Sequence, residues 1–229
     1  MLSEGEIAKR LSEVRGRIDA AARRSHRDPD SVCLVLASKT QPPEAIRAAY
    51  RAGARVFGEN YVQEAIAKKD ATADLRDIRW HLIGNLQTNK ARQACAIFEL
   101  IHSLDSARLA EALARVRPIP QVRVLVEVNL AGESSKHGVA PGDVELLLAQ
   151  ARDKVKVEGL MTIPPPNLSR ERTRSYFARL REMRDNLAAR TGLSLYELSM
   201  GMTEDYEIAI EEGATIVRVG RAVFGERTR

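Results

Sequence analysis

Residues 32–40 read Val-Cys-Leu-Val-Leu-Ala-Ser-Lys-Thr, a run of six apolar residues followed by three polar ones. A continuous apolar run of this length predicts a strand that is buried on both faces, as in a parallel sheet. The run is far too short to span a bilayer. Ser38, Lys39 and Thr40 are therefore expected at the carboxyl end of a buried strand.

The alternation of strand and helix continues on both sides of this run. Residues 4–24 carry apolar side chains at helical spacing and predict a first helix. Seven further strands are predicted at residues 55–57, 78–83, 98–102, 122–128, 155–161, 194–198 and 215–219. Helices are predicted after Pro43 up to Gly53 and at residues 62–69, 86–96, 106–116, 143–153, 170–190 and 204–212.

Eight strand–helix units in about 200 residues predict an α/β fold, a single (β/α)8 TIM-type barrel. The helix at residues 4–24 is an extra element that precedes the barrel, and residues 1–229 are expected to form one domain. An open doubly wound sheet is the alternative. It would usually have fewer strands, and no Gly-x-Gly-x-x-Gly follows the first strand here.

Composition excludes several classes of protein. Of the 229 residues, 44% are hydrophobic, which is enough for a sizeable core and excludes wholesale disorder. The amino terminus has neither a basic segment nor an apolar segment, so no secretory signal is predicted. Cys33 and Cys95 form no Cys-x-x-Cys pair and are expected to be reduced, buried thiols. We therefore expect a cytoplasmic protein without a membrane partner.

The charge balance is modestly basic, with 36 Lys and Arg against 31 Asp and Glu. A net charge of +5 favours anionic partners without choosing among them. A nucleic-acid binder would use the arginines of the first helix: Arg10, Arg15, Arg17, Arg23 and Arg24. Their spacing is that of an ordinary solvated face, and only 4% of residues are aromatic, which gives base stacking little support. No nucleic-acid partner is expected.

Lys39 is the first candidate functional residue, because chemistry in such barrels lies at the carboxyl ends of the strands. A lysine that ends an apolar strand lies at a low-dielectric rim, which favours the neutral amine over the ammonium. A neutral amine is what a Schiff base with an aldehyde or ketone requires. The alternative is a solvated lysine just past the strand. Lys90 and Lys136 are weaker candidates.

The ends of the last two strands supply a second feature, Ser199 and Gly201 after one and Gly220 after the other. Barrels often bind phosphate with these loops. Glycines let backbone N–H groups approach an anion closely, and a serine hydroxyl adds a donor. A glycine after a strand is also ordinary turn chemistry.

Arg218 is the third feature. Strand periodicity places it on one face with Ile216 and Gly220, so it is expected to point into the barrel. A buried guanidinium needs a partner, which would be a bound ligand or an acidic neighbour such as Glu59. A reactive lysine, a phosphate cradle and an inward arginine together favour pyridoxal 5′-phosphate (PLP), which offers an aldehyde, a phosphate and a ring nitrogen.

The sequence closely resembles the PLP homeostasis proteins, also called proline synthase co-transcribed proteins. The resemblance rests on blocks in order along nearly the whole chain: residues 36–40 (LASKT), 57–64 (FGENYVQE), 80–90 (WHLIGNLQTNK), 128–129 with 135–138, 159–164 (GLMTIP), 198–205 (LSMGMTED) and 217–225 (VRVGRAVFG).

The resemblance implies the barrel of the alanine racemase N-terminal domain, with PLP as the cofactor and no metal. It implies that Lys39 carries the aldimine, that Arg218 faces the pyridine nitrogen and that Asn60 lines the pocket. The residues that it places around the phosphate are Ser199, Gly201, Met202, Gly220 and Arg221. Arg221 stands where the family often has threonine.

The resemblance further implies a carrier or regulator of intracellular PLP, without conventional turnover and with no catalytic residue. We expect a monomer, with PLP-dependent apoenzymes as recipients of the cofactor. The alternative is a weak amino-acid racemase or another residual PLP enzyme, with His81 or Tyr61 opposite Lys39. Two expectations oppose it: no second catalytic domain follows Gly225, and Arg218 cannot accept a hydrogen bond from a protonated ring nitrogen.

Overall fold

The computed structural model describes residues 2–116, 120–133 and 137–226 of the chain. Within them, eight parallel strands form a closed barrel in sequence order, and the eighth strand pairs with the first. The predicted TIM-type barrel is confirmed. The strands are β1 (Cys33–Ala37), β2 (Val56–Glu59), β3 (Arg79–Leu82), β4 (Leu100–Leu104), β5 (Arg123–Glu127), β6 (Lys156–Met161), β7 (Glu197–Ser199) and β8 (Ile216–Val219).

Helices surround the barrel on the outside. They are α1 (Glu4–Arg24), α2 (Pro43–Arg51), α3 (Val62–Ala71), α4 (Ala91–Ile97), α5 (Ala107–Val116), α6 (Val144–Ala151), α7 (Arg170–Thr191), α8 (Tyr206–Glu211) and α9 (Arg221–Phe224). Short 3-10 turns lie at Pro29–Ser31, Thr88–Lys90 and Pro141–Asp143. The extra helix α1 begins with a capping box between Ser3 and Glu6, and it packs against α2, α8 and α9.

Two strands begin two or three residues later than the sequence predicts, whereas the other six begin within one residue of the predicted start. β4 starts at Leu100 because the Phe98 amide donates to the Ala94 carbonyl and so still belongs to the end of α4. The shift places His102 inside the barrel instead of at the rim. β7 starts at Glu197 because residues 192–196 form the connection that follows α7. This connection begins at Gly192, which caps the helix in the left-handed conformation.

The apolar core has two layers. Alternating strand residues fill the barrel interior, and these are Val35, Val56, Leu100, Leu125, Met161 and Ile216. A larger layer lies between the strands and the helices. Towards the carboxyl ends of the strands the interior becomes polar, with His81, His102, Ser199 and Arg218 all buried. These buried polar residues lie just inside the carboxyl ends of the strands, where barrels of this type have their binding and active sites.

The arginines of α1 mainly contact their own chain. Arg17 and Arg24 form ion pairs with Glu207 and Glu211 of α8, at N–O distances of 2.5–3.1 Å. Arg15 donates to two backbone carbonyls at the end of α2. This helix face therefore holds α1 against the barrel.

The cysteines are only partly as expected. Cys33 and Cys95 form no disulfide, but both are half-buried instead of fully buried. Among the described residues, none of the helices combines the length and the apolar character needed to cross a bilayer.

Candidate functional site

A cavity of about 1180 Å³ opens at the carboxyl ends of the strands. It brings together most of the residues predicted for the site: Lys39, Asn60, Met202, Arg218, Gly220 and Arg221. Ser199 and Gly201 do not line it. The loop that follows β6 closes one side with three consecutive prolines, residues 164–166.

Lys39 and Asn60 enter the cavity from neighbouring strands. Lys39 is half-buried and lies two residues after the end of β1, and Asn60 follows β2 directly. The register pairs Ala37 with Gly58, so the ends of the two strands lie side by side. On the other side of Asn60, Gly84 after β3 lets the Asn60 backbone come close, because a Cβ atom there would lie 2.4 Å from the Asn60 carbonyl oxygen. The amine and the amide therefore share one wall.

The start of α9 forms the adjoining wall, because β8 lies next to β1 in the barrel. Its first amides, those of Arg221 and Ala222, have no acceptor within the helix, as at every helix start. Gly220 brings them close to β1, because a Cβ atom at this position would lie 2.9 Å from the Ala37 carbonyl oxygen. The Arg221 side chain is exposed and forms an ion pair with Glu204 at 3.1 Å. Backbone donors and a cation thus flank this side of the cavity.

The loop after β7 is built around Gly201, whose φ of +91° lies in the left-handed region. A Cβ atom there would lie 2.5 Å from the Ala209 side chain. Its neighbour Met202 lines the cavity, but the Met202 amide already donates to the Asp205 carboxylate at 2.6 Å. Gly201 therefore shapes the loop from below and does not form part of the cavity surface.

Arg218 points into the barrel, as its strand periodicity predicts, and only 4% of it is exposed. Nη1 donates to the Ser199 hydroxyl at 2.5 Å, and Nη2 donates to the Thr162 carbonyl at 3.0 Å. Burial lowers the pKa of Arg218 to about 10, and the carboxylates of Asp205 and Glu127 act in the opposite direction. The guanidinium is therefore a cation at neutral pH.

Glu59 is not the acidic partner of Arg218 that the sequence allowed. Its carboxylate accepts from the Ser38 hydroxyl at 2.5 Å and from Lys68 at 2.9 and 3.0 Å. Burial raises the pKa of Glu59, and the contacts with Ser38 and Lys68 oppose that rise. Glu59 thus belongs to a separate group of charges beside β1.

Ser199 occupies a different place from the one expected of it. Its hydroxyl lies 2.8 Å from His102 Nδ1 and is fully buried, and His102 Nε2 lies 3.1 Å from His81 Nδ1. Burial lowers the pKa of His81 to about 3 and that of His102 well below 6.5, so both rings are neutral. All three hydrogen bonds form when Arg218 donates to the Ser199 hydroxyl, this hydroxyl donates to His102 Nδ1, and His102 Nε2 donates to His81 Nδ1. The Ser199 side chain holds Arg218 and does not reach the cavity.

Residues proposed for a residual enzyme are not in the cavity wall. His81 lies within the barrel, and Tyr61 is 69% exposed and lines no part of the cavity. Lys90 does not line the cavity either, and Lys136 lies outside the described residues.

Sequence reasoning missed Asp205 and Lys68. Asp205 lines the cavity, and burial raises its pKa. It lies in the same short block as Ser199 and Met202, which could have indicated it. Lys68 gave no such signal, because a lysine four residues after Glu64 is typical of a solvated helix face.

Comparison with known proteins extends these observations. The family described as alanine racemase, N-terminal domain, matches residues 10–228. A pyridoxal phosphate homeostasis protein of Aquifex aeolicus is 48% identical over 96% of this chain and 97% of its own length. The protein of that name from Escherichia coli K12 is 38% identical over 97% of each chain.

Solved structures show the same similarity. PipY of Synechococcus elongatus, with PLP bound, superposes with a TM-score of 0.85 at 42% identity, over 96% of this chain and 100% of PipY. A lysine/ornithine decarboxylase of Vibrio vulnificus shares only the fold, with a TM-score of 0.71 at 16% identity over 96% of this chain and 62% of its own. On the matched length and the identity to its relatives, the chain belongs to the pyridoxal phosphate homeostasis protein family, whose barrel is the alanine racemase N-terminal domain.

Proposed function

We propose that this protein binds PLP covalently, through a C=N bond to the Lys39 amine, and holds it for supply to other proteins. The observation that carries the proposal is the convergence of Lys39, the first amides of α9 and the buried Arg218 on one cavity. When bound, PLP supplies an aldehyde that condenses with amines and a ring that withdraws electrons. The condensation releases the aldehyde oxygen as water.

The positions of these groups fit the three functional parts of PLP. Lys39 and Gly220 follow β1 and β8, which are adjacent because Leu36 pairs with Val219. The amine therefore lies beside the backbone donors of Arg221 and Ala222, which suit a phosphate. Arg218 precedes these donors on β8 and approaches from inside the barrel, where it suits the ring nitrogen. Met202 and Asn60 supply further wall around the ring and its substituents.

Two features of the cavity favour a protein that holds PLP over an enzyme that uses it for catalysis. Arg218 is a donor only, so it disfavours a protonated ring nitrogen and leaves the ring a weaker electron sink. In the part of the chain that the structure describes, the cavity wall contains no His, Tyr or Cys side chain. The carboxylates in the wall are already engaged: Asp205 accepts from the Met202 amide, and Glu204 and Glu226 form ion pairs with Arg221.

The role as a supplier of PLP is supported by the names of the relatives, which are pyridoxal phosphate homeostasis proteins. We propose that one chain, folded as a single domain, acts as a monomeric cytoplasmic carrier. Its recipients are PLP-dependent apoenzymes, which take the cofactor when their own lysine replaces Lys39 on the aldehyde carbon.

The covalent link is tested by adding PLP to the purified protein, reducing it with borohydride and mapping the modified peptide. The expected result is a shifted absorbance band and a phosphopyridoxyl group on Lys39. Lys39→Ala should lose both signals. Lys90→Ala should keep them, because Lys90 is a weaker candidate from the sequence and does not line the cavity. An adduct solely on another lysine would contradict the proposal.

The carrier role needs its own measurement. The loaded protein is mixed with an apoenzyme in the presence of a phosphatase that destroys unbound PLP, and enzyme activity is followed. Recovery of activity is expected from the loaded wild type. Racemisation of amino acids at an ordinary enzymatic rate, roughly 1–10³ s⁻¹, would overturn the carrier role in favour of an enzyme.

A further inference from the structure

A buried group of charges lies beneath the loop that carries Lys39. Lys68 on α3 is only 5% exposed, although lysine is among the residues least often buried. Its ammonium donates to both carboxylate oxygens of Glu59, at 2.9 and 3.0 Å, and to Glu64 at 2.5 Å. None of these three side chains lines the cavity. We call Glu59, Glu64 and Lys68 the α3 charge cluster.

The α3 charge cluster binds the residues on both sides of Lys39. Before it, the Ser38 carbonyl accepts from Lys68 at 2.7 Å, and the Ser38 hydroxyl donates to Glu59 at 2.5 Å. After it, the Thr40 amide donates to Glu64 at 2.5 Å. Lys39 is the residue between these two anchors, and it lines the cavity. The cluster therefore fixes the point from which the Lys39 side chain leaves the backbone.

The backbone at Thr40 needs such an anchor. Its φ of +64° lies in the left-handed region, which is a costly conformation for a β-branched residue. A strained residue persists only where its surroundings hold it in place. The Glu64 carboxylate does so through the Thr40 amide, and Lys68 in turn holds that carboxylate.

We propose that Lys68, together with Glu59 and Glu64, is a positioning residue for Lys39, which sets the amine at the distance where it reaches the PLP aldehyde. The proposal rests on the proposed function, since it concerns the covalent bond to Lys39. Lys68 does not line the cavity and would act only through residues 38–40. The competing interpretation is an ordinary buried ion pair that stabilises the barrel and does nothing else.

Two ligands separate these interpretations. PLP can bond to Lys39, whereas 4′-deoxypyridoxine 5′-phosphate has a methyl group in place of the aldehyde and binds only through its ring and phosphate. Lys68→Met should weaken PLP binding about tenfold or more, because displacement of a reacting group is costly. It should change the affinity for the deoxy analogue by less than about twofold. Equal losses for both ligands would overturn the proposal.

A second variant guards against simple unfolding, because Lys68→Met leaves two carboxylates without their cation. Glu59→Gln/Lys68→Met removes opposite charges together and should keep the barrel folded, with the same selective loss of PLP. Arg123→Met is the matched control. It breaks a partly buried ion pair with Glu158 at the first residue of β5, at the other end of the barrel, and should alter neither affinity.

A double-mutant cycle with Lys39 completes the test. In a Lys39→Ala background, Lys68→Met should change PLP binding by less than about twofold, because the group on which it acts is gone. A further large loss there would overturn the positioning role. Borohydride mapping of the wild type reports separately on the proposed function. A wild type without a Lys39 adduct refutes both, and a normal adduct with equal ligand losses refutes the positioning role alone.

Discussion

Arg218 donates a hydrogen bond to the hydroxyl of Ser199 across 2.5 Å inside the barrel, and this contact determines what each residue can do at the site. Ser199 is directed at the guanidinium and away from the cavity. Behind it, the bonds continue to His102 and His81. The orientation of Arg218 is thus fixed by three polar side chains, from β3, β4 and β7, and by the Thr162 carbonyl.

Ser199→Ala should therefore weaken the binding of PLP and of pyridoxal, which has no phosphate, by similar factors. A hydrogen bond to a charged group contributes about 1.5–3 kcal/mol, and this one acts on binding only by orienting Arg218, so the loss should reach at most about a hundredfold. Titration of the cofactor absorbance band measures both affinities. Ser25→Ala, at the end of α1, is the control and should change neither. A loss confined to PLP would show that the hydroxyl contacts the phosphate after all.

Arg218→Glu should lower the affinity for PLP and raise α-proton exchange of a bound amino acid, measured in D₂O per bound cofactor. The carboxylate supplies an acceptor for a protonated ring nitrogen but also leaves the Thr162 carbonyl without its donor. Arg218→Met removes the donor without adding an acceptor, so its exchange rate should stay low. If Arg218→Glu only destabilises the PLP-free barrel and leaves spectrum and exchange unchanged, the residue has a purely structural role.

Acid should destabilise the barrel through His81 and His102, whose pKa values are lowered by burial. The unfolded chain takes up protons on these rings below about pH 6.5, while the folded chain keeps them neutral. Stability is therefore fully present above that pH and is lost as the pH falls towards the lowered values. His81 should account for about 2 kcal/mol of the unfolding free energy lost between pH 7 and pH 5, and His102 should add to the loss in the same direction.

Urea unfolding at the two pH values tests this expectation. His102→Gln, which can still bond to Ser199, should lose less stability than the wild type on acidification. His26 is exposed, so His26→Gln should behave as the wild type does. An unchanged pH dependence in His102→Gln would show that other groups cause the acid sensitivity.

Gly201→Ala should destabilise the protein by about 2 kcal/mol or more, because it combines a left-handed φ with overpacking. The new methyl group would lie 2.5 Å from the Ala209 side chain and 2.9 Å from the Tyr206 Cα atom. Thermal unfolding of the PLP-free protein measures the effect. Gly142→Ala is the control, since no atom lies within 4 Å of the added Cβ atom there. Equal stability of the two variants would contradict the steric argument.

The sequence alone determined the barrel, the extra helix and the end of the barrel at which the site lies. These follow from local patterns: apolar runs such as residues 32–37, helical spacing in α1, and polar residues just after buried strands. The inward direction of Arg218 also follows, because side chains alternate along a strand. Strand starts such as that of β4 were less well determined, because residue 98 suits either the end of a helix or the start of a strand.

Only the tertiary structure decided which polar groups meet. Ser199 looked like a phosphate ligand from its position after a strand, but closure of the barrel brings its hydroxyl against Arg218 and His102. Lys68 looked like a solvated helix lysine, but the packing of α3 on the barrel buries it against Glu59 and beneath Lys39. The physical reason is the same in both cases. Local sequence fixes the direction of a side chain on its own element, whereas its partner comes from an element 9 to 97 residues away, and only the closed barrel sets that distance.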